Sequence, residues 1–256
     1  MKSVTALFWG LLVFFTATAS FSQSPLTLNT FAGPPLSTPD QAGMYDLVLR
    51  EAFTRIGVPV RIGHLPAERS LLNADRGIDD GDFVRIAGLE TTYTNLIRVP
   101  EKITDFEFVA FSRNLRITTP DWESLRPYDV AIVRGWKILE KNLAGAASLT
   151  RVKNLRILFT LLAQGRADLA VYSRFEGYEM INRLGLTDIQ VLEPPLAVRE
   201  MFLYLHKKHA ALVPEVTAAL RAMKADGTYQ RIVEQTLGPY RLNSGRPGTK
   251  QTGSRP

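Results

Sequence analysis

The chain has 256 residues, a formal net charge of +6 and no cysteine. The lack of cysteine excludes disulfides, a thiol nucleophile and a lipid anchor carried by cysteine. Lys2 and four cations in the acid-free segment 241–256 carry most of the positive charge, so that about +1 remains for the rest. Nucleic-acid binding needs a basic face on the folded part, and we therefore expect no nucleic-acid partner.

Both ends of the chain differ in composition from the middle. Residues 1–22 start with a cation, continue with a short apolar run and close with the small residues "TATASFS". This order predicts a cleavable signal peptide and export to the periplasm; cleavage after Ala19 or after Ser22 fits, and we favour Ser22. Residues 241–256 are rich in Gly, Pro, Ser and Thr, and we expect them to form a disordered basic tail.

Between these ends, strand patterns alternate with helix patterns. Apolar runs predict strands at 25–31, 58–63, 83–89, 106–113, 130–133, 167–173, 189–192 and 200–207. Helical spacing predicts helices at 66–77, 136–143, 155–164 and 173–185, and two more in 213–238 that are separated by Gly227. A further helix is predicted to start at Thr38, with Thr38 as its N-cap, Pro39 in the first turn and Gln41 completing a capping box.

This alternation is typical of an α/β fold with mostly parallel sheets. One set of strands and helices lies before residue 113 and a second set follows it, which predicts two lobes. The strand near residue 200 and the last helices are expected to return to the first lobe.

One strand-to-helix turn, Arg134-Gly135-Trp136, has the composition of an anion site. A helix start offers free amides, glycine lets a ligand approach the backbone, and arginine adds a forked cation. Trp136 would supply a flat wall. The alternative is structural: a turn glycine, a surface arginine and a core tryptophan.

Four other residues are candidates for the same cleft, and each has a structural alternative. Arg69 starts a helix and Arg85 lies in a strand near three aspartates, so both are cleft cations or ordinary ion pairs. Tyr172 faces either the core or the cleft. Ser173 either contacts the ligand or caps the next helix in a capping box with Glu176.

Four segments in this order resemble the bacterial periplasmic solute-binding proteins of family three, the polar amino-acid type. They are "AERSLLNADRGIDDGDFVRIAGL", "YDVAIVRGWKILEKNL", "LLAQGRADLAVYS" and "AMKADGTYQRIVEQ". The resemblance implies a two-lobed periplasmic binding protein type II fold with two crossing hinge strands, at 108–113 and 198–206. Lobe one would comprise 23–112 plus 199–240, and lobe two 113–198.

The family's ligand contacts match this chain only in part. Gly135 matches the Gly-Thr turn that binds a ligand carboxylate, but Trp136 replaces the threonine. The family's Thr-x-x-Arg motif is broken in "GLETTYTNLIR", and Ser173 stands where an aspartate often takes the ligand's ammonium group. The resemblance therefore implies a binding protein for a small anionic or amino-acid-like solute.

We expect a monomer that is not an enzyme and carries no cofactor. We also expect no metal, because His64, His206 and His209 do not have the sequence spacing of metal ligands. Its expected partners are a small solute and an inner-membrane ABC permease for uptake. Two alternatives remain open: a sensory binding protein, and a periplasmic enzyme of the same fold, of the cyclic carboxylate dehydratase type. In the enzyme, Glu68 and Glu90 would form a carboxylate pair.

Overall fold

The computed structural model describes residues 24–243, with side chains to residue 240. Within these residues the chain forms ten strands and seven α-helices. The strands β1 to β10 are Leu26–Thr30, Val60–His64, Gly81–Arg85, Leu96–Arg98, Thr104–Ser112, Asp129–Val133, Ser148–Val152, Leu169–Ser173, Gln190–Val191 and Ala197–His206. The helices α1 to α7 are Met44–Thr54, Ala67–Asp75, Lys137–Asn142, Leu155–Ala163, Arg174–Arg183, Leu212–Ala225 and Thr228–Asn243.

The strands form two α/β lobes, as the alternating pattern predicted. In the first lobe β1 pairs in parallel with β2 and β3, and β10 runs antiparallel beside β3 and β4. In the second lobe β6 pairs in parallel with β7 and β8, and β5 runs antiparallel to β8 and β9. The carboxyl ends of the parallel strands are the ends at which α/β folds usually bind ligands.

Strand β10 passes from one lobe to the other, which confirms the crossing predicted at 198–206. Its first half, 197–201, pairs with β5, and its second half pairs with β3 and β4. The other crossing was predicted at 108–113, and this is wrong, because residues 108–111 already pair with β8 inside the second lobe.

The first crossing lies earlier in the chain, just before β5. The amide nitrogens of Val99 and Ile103 donate to the carbonyl oxygens of Leu203 and Met201, at 2.9 and 2.7 Å. Segment 99–103 therefore runs beside β10 where β10 changes sheets. The lobe limits of 23–112 plus 199–240 and 113–198 stay a prediction.

Helix α1 begins at Met44, not at Thr38 as predicted. The carboxylate of Asp46 accepts hydrogen bonds from the amides of Thr38 and Gly43, at 2.8 and 3.0 Å. These bonds keep residues 38–43 as a turn ahead of the helix. A Cβ on Gly43 would lie 2.6 Å from the carbonyl oxygen of Leu36, so this close approach requires glycine.

Two strands, β4 and β7, were not predicted, and β3 ends at Arg85 instead of continuing to 89. The predicted signal peptide lies outside the described residues. So does most of the predicted tail, although α7 continues through 241–243. Within residues 24–243, no helix is both long enough and apolar enough to span a membrane.

Candidate functional site

Trp136 lies at the centre of an aromatic cluster that joins the two lobes. Its ring centroid is 5.8 Å from that of Phe31, which follows β1 in the first lobe. In the second lobe it is 5.0 Å from Tyr172, at the end of β8. Phe106 and Phe108 of β5 lie at 5.9 and 5.7 Å. The cluster therefore occupies the place where the carboxyl ends of strands from both lobes meet.

The turn before Trp136 has the predicted glycine geometry. Gly135 has a φ of +92°, which a side chain would strain. Its N–H donates to Glu140 Oε1 of the following helix, α3, at 2.9 Å. The amide that was predicted to bind a ligand anion therefore already binds a carboxylate of the protein. Arg134 is exposed, and its side chain makes no hydrogen bond or ion pair within the described residues. It stays the predicted free cation at this turn.

Arg85 is buried and paired, unlike Arg134. Its Nε and Nη2 donate to Asp82 Oδ2 at 3.0 and 2.8 Å, and Nη2 also donates to the carbonyl oxygen of Ala67 at 2.8 Å. The guanidinium carbon lies 4.8 Å from the ring centroid of Phe31, a cation–π distance. Arg85 therefore supports the first-lobe wall of the aromatic cluster.

The pairing of Arg85 with Asp82 depends on an unusual backbone conformation at Val84. Residues three apart in a regular strand point to opposite faces of the sheet. Val84 has a φ of +62°, a left-handed conformation that is rare for a β-branched residue. It interrupts the alternation at the end of β3, which brings Arg85 back over Asp82.

Burial raises the pKa of Asp82 to about 6, although the guanidinium of Arg85 opposes this rise. Asp82 is fully buried, and its Oδ1 has no hydrogen-bond partner within the described part of the chain. The Arg85 cation is therefore the main contact that keeps this carboxylate charged near neutral pH.

Glu176 makes a second contact between the lobes, next to the aromatic cluster. Its Oε1 accepts a hydrogen bond from the amide of Gly33 in the first lobe at 2.9 Å. Its Oε2 accepts one from the hydroxyl of Ser173 at 2.5 Å. Ser173 is the N-cap residue of α5, but its hydroxyl bonds the Glu176 side chain and not a backbone amide. The predicted capping box is therefore wrong, because the Glu176 carboxylate bonds Gly33 and the serine hydroxyl instead of the N-cap amide.

Burial also raises the pKa of Glu176. A raised pKa means that the folded state binds the proton more tightly than the unfolded state. The contribution of Glu176 to stability therefore falls as pH rises from the ordinary value of 4.5 towards the raised one. We expect Glu176→Gln, which keeps an acceptor for Gly33, to become more favourable relative to the wild type as pH rises.

Urea unfolding of both proteins between pH 4 and pH 8 measures this difference. Glu179→Gln is the control, because Glu179 lies on the same helix but is partly exposed. Equal curves for Glu176→Gln and the wild type at every pH would contradict a raised pKa at Glu176.

The remaining predicted residues, Glu68, Arg69 and Glu90, make no hydrogen bond or ion pair with the aromatic cluster among the described residues. Arg69 is exposed on the first turn of α2. Glu68 accepts a 3.4 Å hydrogen bond from Tyr93, whereas Glu90 accepts a 2.8 Å bond from Tyr204. The two glutamates thus bond different tyrosines.

A serine, a histidine and an aspartate lie together in the first lobe, but not as a nucleophile. The hydroxyl of Ser37 lies 2.6 Å from Asp46 Oδ1 and 2.8 Å from His64 Nε2. Ser37 is fully buried, and the aspartate contacts the serine and not the histidine. The three side chains fix the loop that presents Gly33 to Glu176.

Sequence reasoning did not identify Phe31, Gly33, Phe106, Phe108 or Glu176 as parts of this site. Phe31 and Gly33 could have been found, because Phe31 ends the first predicted strand and Gly33 lies in the loop directly after it. Glu176 was assigned to a cap because Ser-x-x-Glu has that local meaning.

Comparisons with known proteins identify the fold of this chain. No protein-family model matches the chain. An uncharacterized protein of Shewanella oneidensis is 23% identical over 203 residues, which cover 76% of each chain.

Three solved structures share the fold. The GluR0 ligand-binding core in complex with L-glutamate has a TM-score of 0.71 at 14% identity, over 85% of this chain and 100% of that one. A histidine kinase sensor domain with similarity to periplasmic binding proteins has a TM-score of 0.68 at 20% identity, over 84% and 96%. A mutant of ArgBP from T. maritima has a TM-score of 0.66 at 18% identity, over 83% and 95%. The chain has the two-lobed fold of periplasmic binding proteins.

Proposed function

We propose that the protein is a periplasmic solute-binding protein that captures a small anionic or amino-acid-like solute between its lobes, for ABC-type uptake. The observation that carries the proposal is the pair of contacts across the cleft: Trp136 against Phe31, and Glu176 against Gly33. Each contact joins a segment that directly follows a parallel strand of one lobe to such a segment of the other: Phe31 and Gly33 follow β1, Trp136 follows β6, and Glu176 lies in the first turn of α5 after β8. Separation of the lobes breaks them and opens the carboxyl ends of these strands to solvent.

The comparisons support this proposal through the fold and through what similar proteins bind. One similar structure is described as the substrate-binding protein of an amino acid ABC transporter, and another as an ancestral arginine-binding protein bound to arginine. The similar sensor domain of a histidine kinase favours a second candidate, a binding protein that reports its solute to a membrane sensor. In either case the solute acts by stabilising the closed arrangement.

Thermal-shift screening of amino acids and small carboxylates identifies the solute, because a ligand of the native state raises the melting temperature. Small-angle scattering with and without that solute then measures closure. A smaller radius of gyration on saturation is expected. An unchanged radius would contradict lobe closure, and turnover of the solute by the purified protein would favour the enzyme.

Arg134→Ala is expected to weaken solute binding by about 2 kcal/mol, because a desolvated charge partner of the solute is removed. The free energy of unfolding should change by less than about 0.5 kcal/mol, since the side chain is exposed and makes no hydrogen bond or ion pair in the described residues. Calorimetric titration and urea unfolding measure the two quantities.

Lys141→Ala is the matched control for Arg134→Ala. Lys141 is an exposed cation near the end of α3, the helix that follows the turn with Arg134. Its removal should change affinity by only about 0.3 kcal/mol, as for screened surface charges. If Arg134→Ala and Lys141→Ala bind the solute equally well, Arg134 is not a solute contact.

A further inference from the structure

A cavity, which we call the hinge-side cavity, lies next to the aromatic cluster. Its volume is about 600 Å³, and residues 102–107 of the crossing and β5 form one wall. The other walls come from the start of α1, the start of α5 and one face of α7. The cavity shares only Phe106 and Ser173 with the cleft contacts described above. Its size is within the range of about 300 to 1,000 Å³ that small-molecule sites have.

The walls of the hinge-side cavity are mainly aromatic and aliphatic. Five aromatic side chains line it: Tyr45, Phe106, Phe175, Tyr178 and Tyr229. Aromatic walls favour a flat ligand, which can pack face or edge against them. The exposed lining residues Asp105 and Gln230 mark the mouth.

Every charged side chain that lines the cavity is already paired with another protein group. Lys102 binds Asp105 at 2.8 Å. Lys224 binds Glu101 at 2.5 Å. Arg174 forms ion pairs with Glu107 and with Glu193, and its Nη1 lies 2.6 Å from Glu193 Oε1. A ligand that enters the cavity therefore meets no unpaired charge, and burial of a charged ligand there would cost desolvation without a compensating ion pair.

We propose that the hinge-side cavity is a second ligand site, for a small, uncharged aromatic molecule. Leu36, Tyr45 and Tyr229 of the first lobe and Phe175 and Tyr178 of the second lobe face the same space. A ligand held there contacts both lobes at once and so biases the closure that the cleft solute also uses. The protein is then a receptor with a separate effector site beside its hinge.

Two fluorescent probes with closely related ring systems test the site and its charge preference. N-phenyl-1-naphthylamine is uncharged, and 1-anilinonaphthalene-8-sulfonate adds one negative charge to the same rings. The full-length mature protein should bind the uncharged probe saturably with one site, and should bind the sulfonate at least tenfold more weakly. Equal binding of the two probes, or no saturable binding of the uncharged one, would overturn the proposal.

Variants that fill the cavity locate the bound probe. Gln230→Trp at the mouth and Val233→Phe on the lining face of α7 should each weaken binding of the uncharged probe at least tenfold. Arg231→Trp places an equally large side chain on the exposed side of the same helix and should leave binding unchanged. Circular dichroism melting shows that each variant is folded.

If neither cavity-filling variant weakens probe binding, the probe lies elsewhere and the hinge-side cavity is not a ligand site. That result leaves the proposed solute site in the cleft standing. The cleft is tested separately by calorimetric titration of the solute with Arg134→Ala.

Discussion

Trp136→Ala is expected to lower the free energy of unfolding by about 3 kcal/mol and to abolish measurable solute binding. The indole contacts Phe31 across the cleft and three rings of its own lobe, Phe106, Phe108 and Tyr172. Truncation leaves a hole in the aromatic cluster and removes its contact with the first lobe. Urea unfolding and calorimetric titration measure the two losses. Trp136→Phe, which keeps an aromatic ring in the cluster, should lose only about 1 kcal/mol of stability.

Trp122→Ala separates packing from function. Trp122 is also a partly buried tryptophan, and it contacts Phe108 at a centroid distance of 6.4 Å. It makes no ring contact with Phe31 among the described residues. This variant should lose stability but keep solute affinity. If both variants lose affinity equally, general destabilisation explains the effect and Trp136 has no special role in the cleft.

Apart from β7, the strands and helices of the second lobe were predictable because their apolar periodicity is strong and local. The run Val130–Val133 and the glycine after it have a local meaning, a buried strand followed by a tight turn, and the structure contains both. Strand β7 lacks this signal, because most of its residues face solvent. It forms through parallel pairing with β6, which no local pattern in 148–152 reports.

The cleft contacts were less predictable, because they join residues far apart in the chain. Gly33 and Glu176 are 143 residues apart, and the local pattern around Glu176 has a complete meaning of its own as a helix cap. Arg85 was ambiguous for a related reason. The face of the sheet on which the Arg85 side chain lies depends on the left-handed backbone at Val84. A valine does not indicate that conformation in the sequence, because β-branched residues favour regular strands.

Arg85→Ala is expected to lower the free energy of unfolding by about 3 to 5 kcal/mol at pH 8, because it leaves the buried carboxylate of Asp82 without its partner. The guanidinium opposes the rise of the Asp82 pKa, so its removal raises that pKa further above 6. A protonated carboxyl loses less solvation free energy on burial than a carboxylate does. The loss in free energy of unfolding caused by Arg85→Ala should therefore be smaller at pH 5 than at pH 8. Urea unfolding at the two pH values measures this.

The double variant Asp82→Asn/Arg85→Met and the single variant Arg69→Ala complete the experiment. The double variant removes both charges and should recover most of the lost stability, as uncharged replacements of buried ion pairs often do.

Arg69→Ala should change stability by less than about 0.5 kcal/mol, because Arg69 is exposed. If Arg69→Ala weakens solute binding while Arg85→Ala mainly unfolds the protein, Arg69 is the first-lobe cation that meets the solute. If instead Arg85→Ala loses affinity but less than about 1 kcal/mol of stability, Arg85 holds the solute and its pairing with Asp82 is secondary.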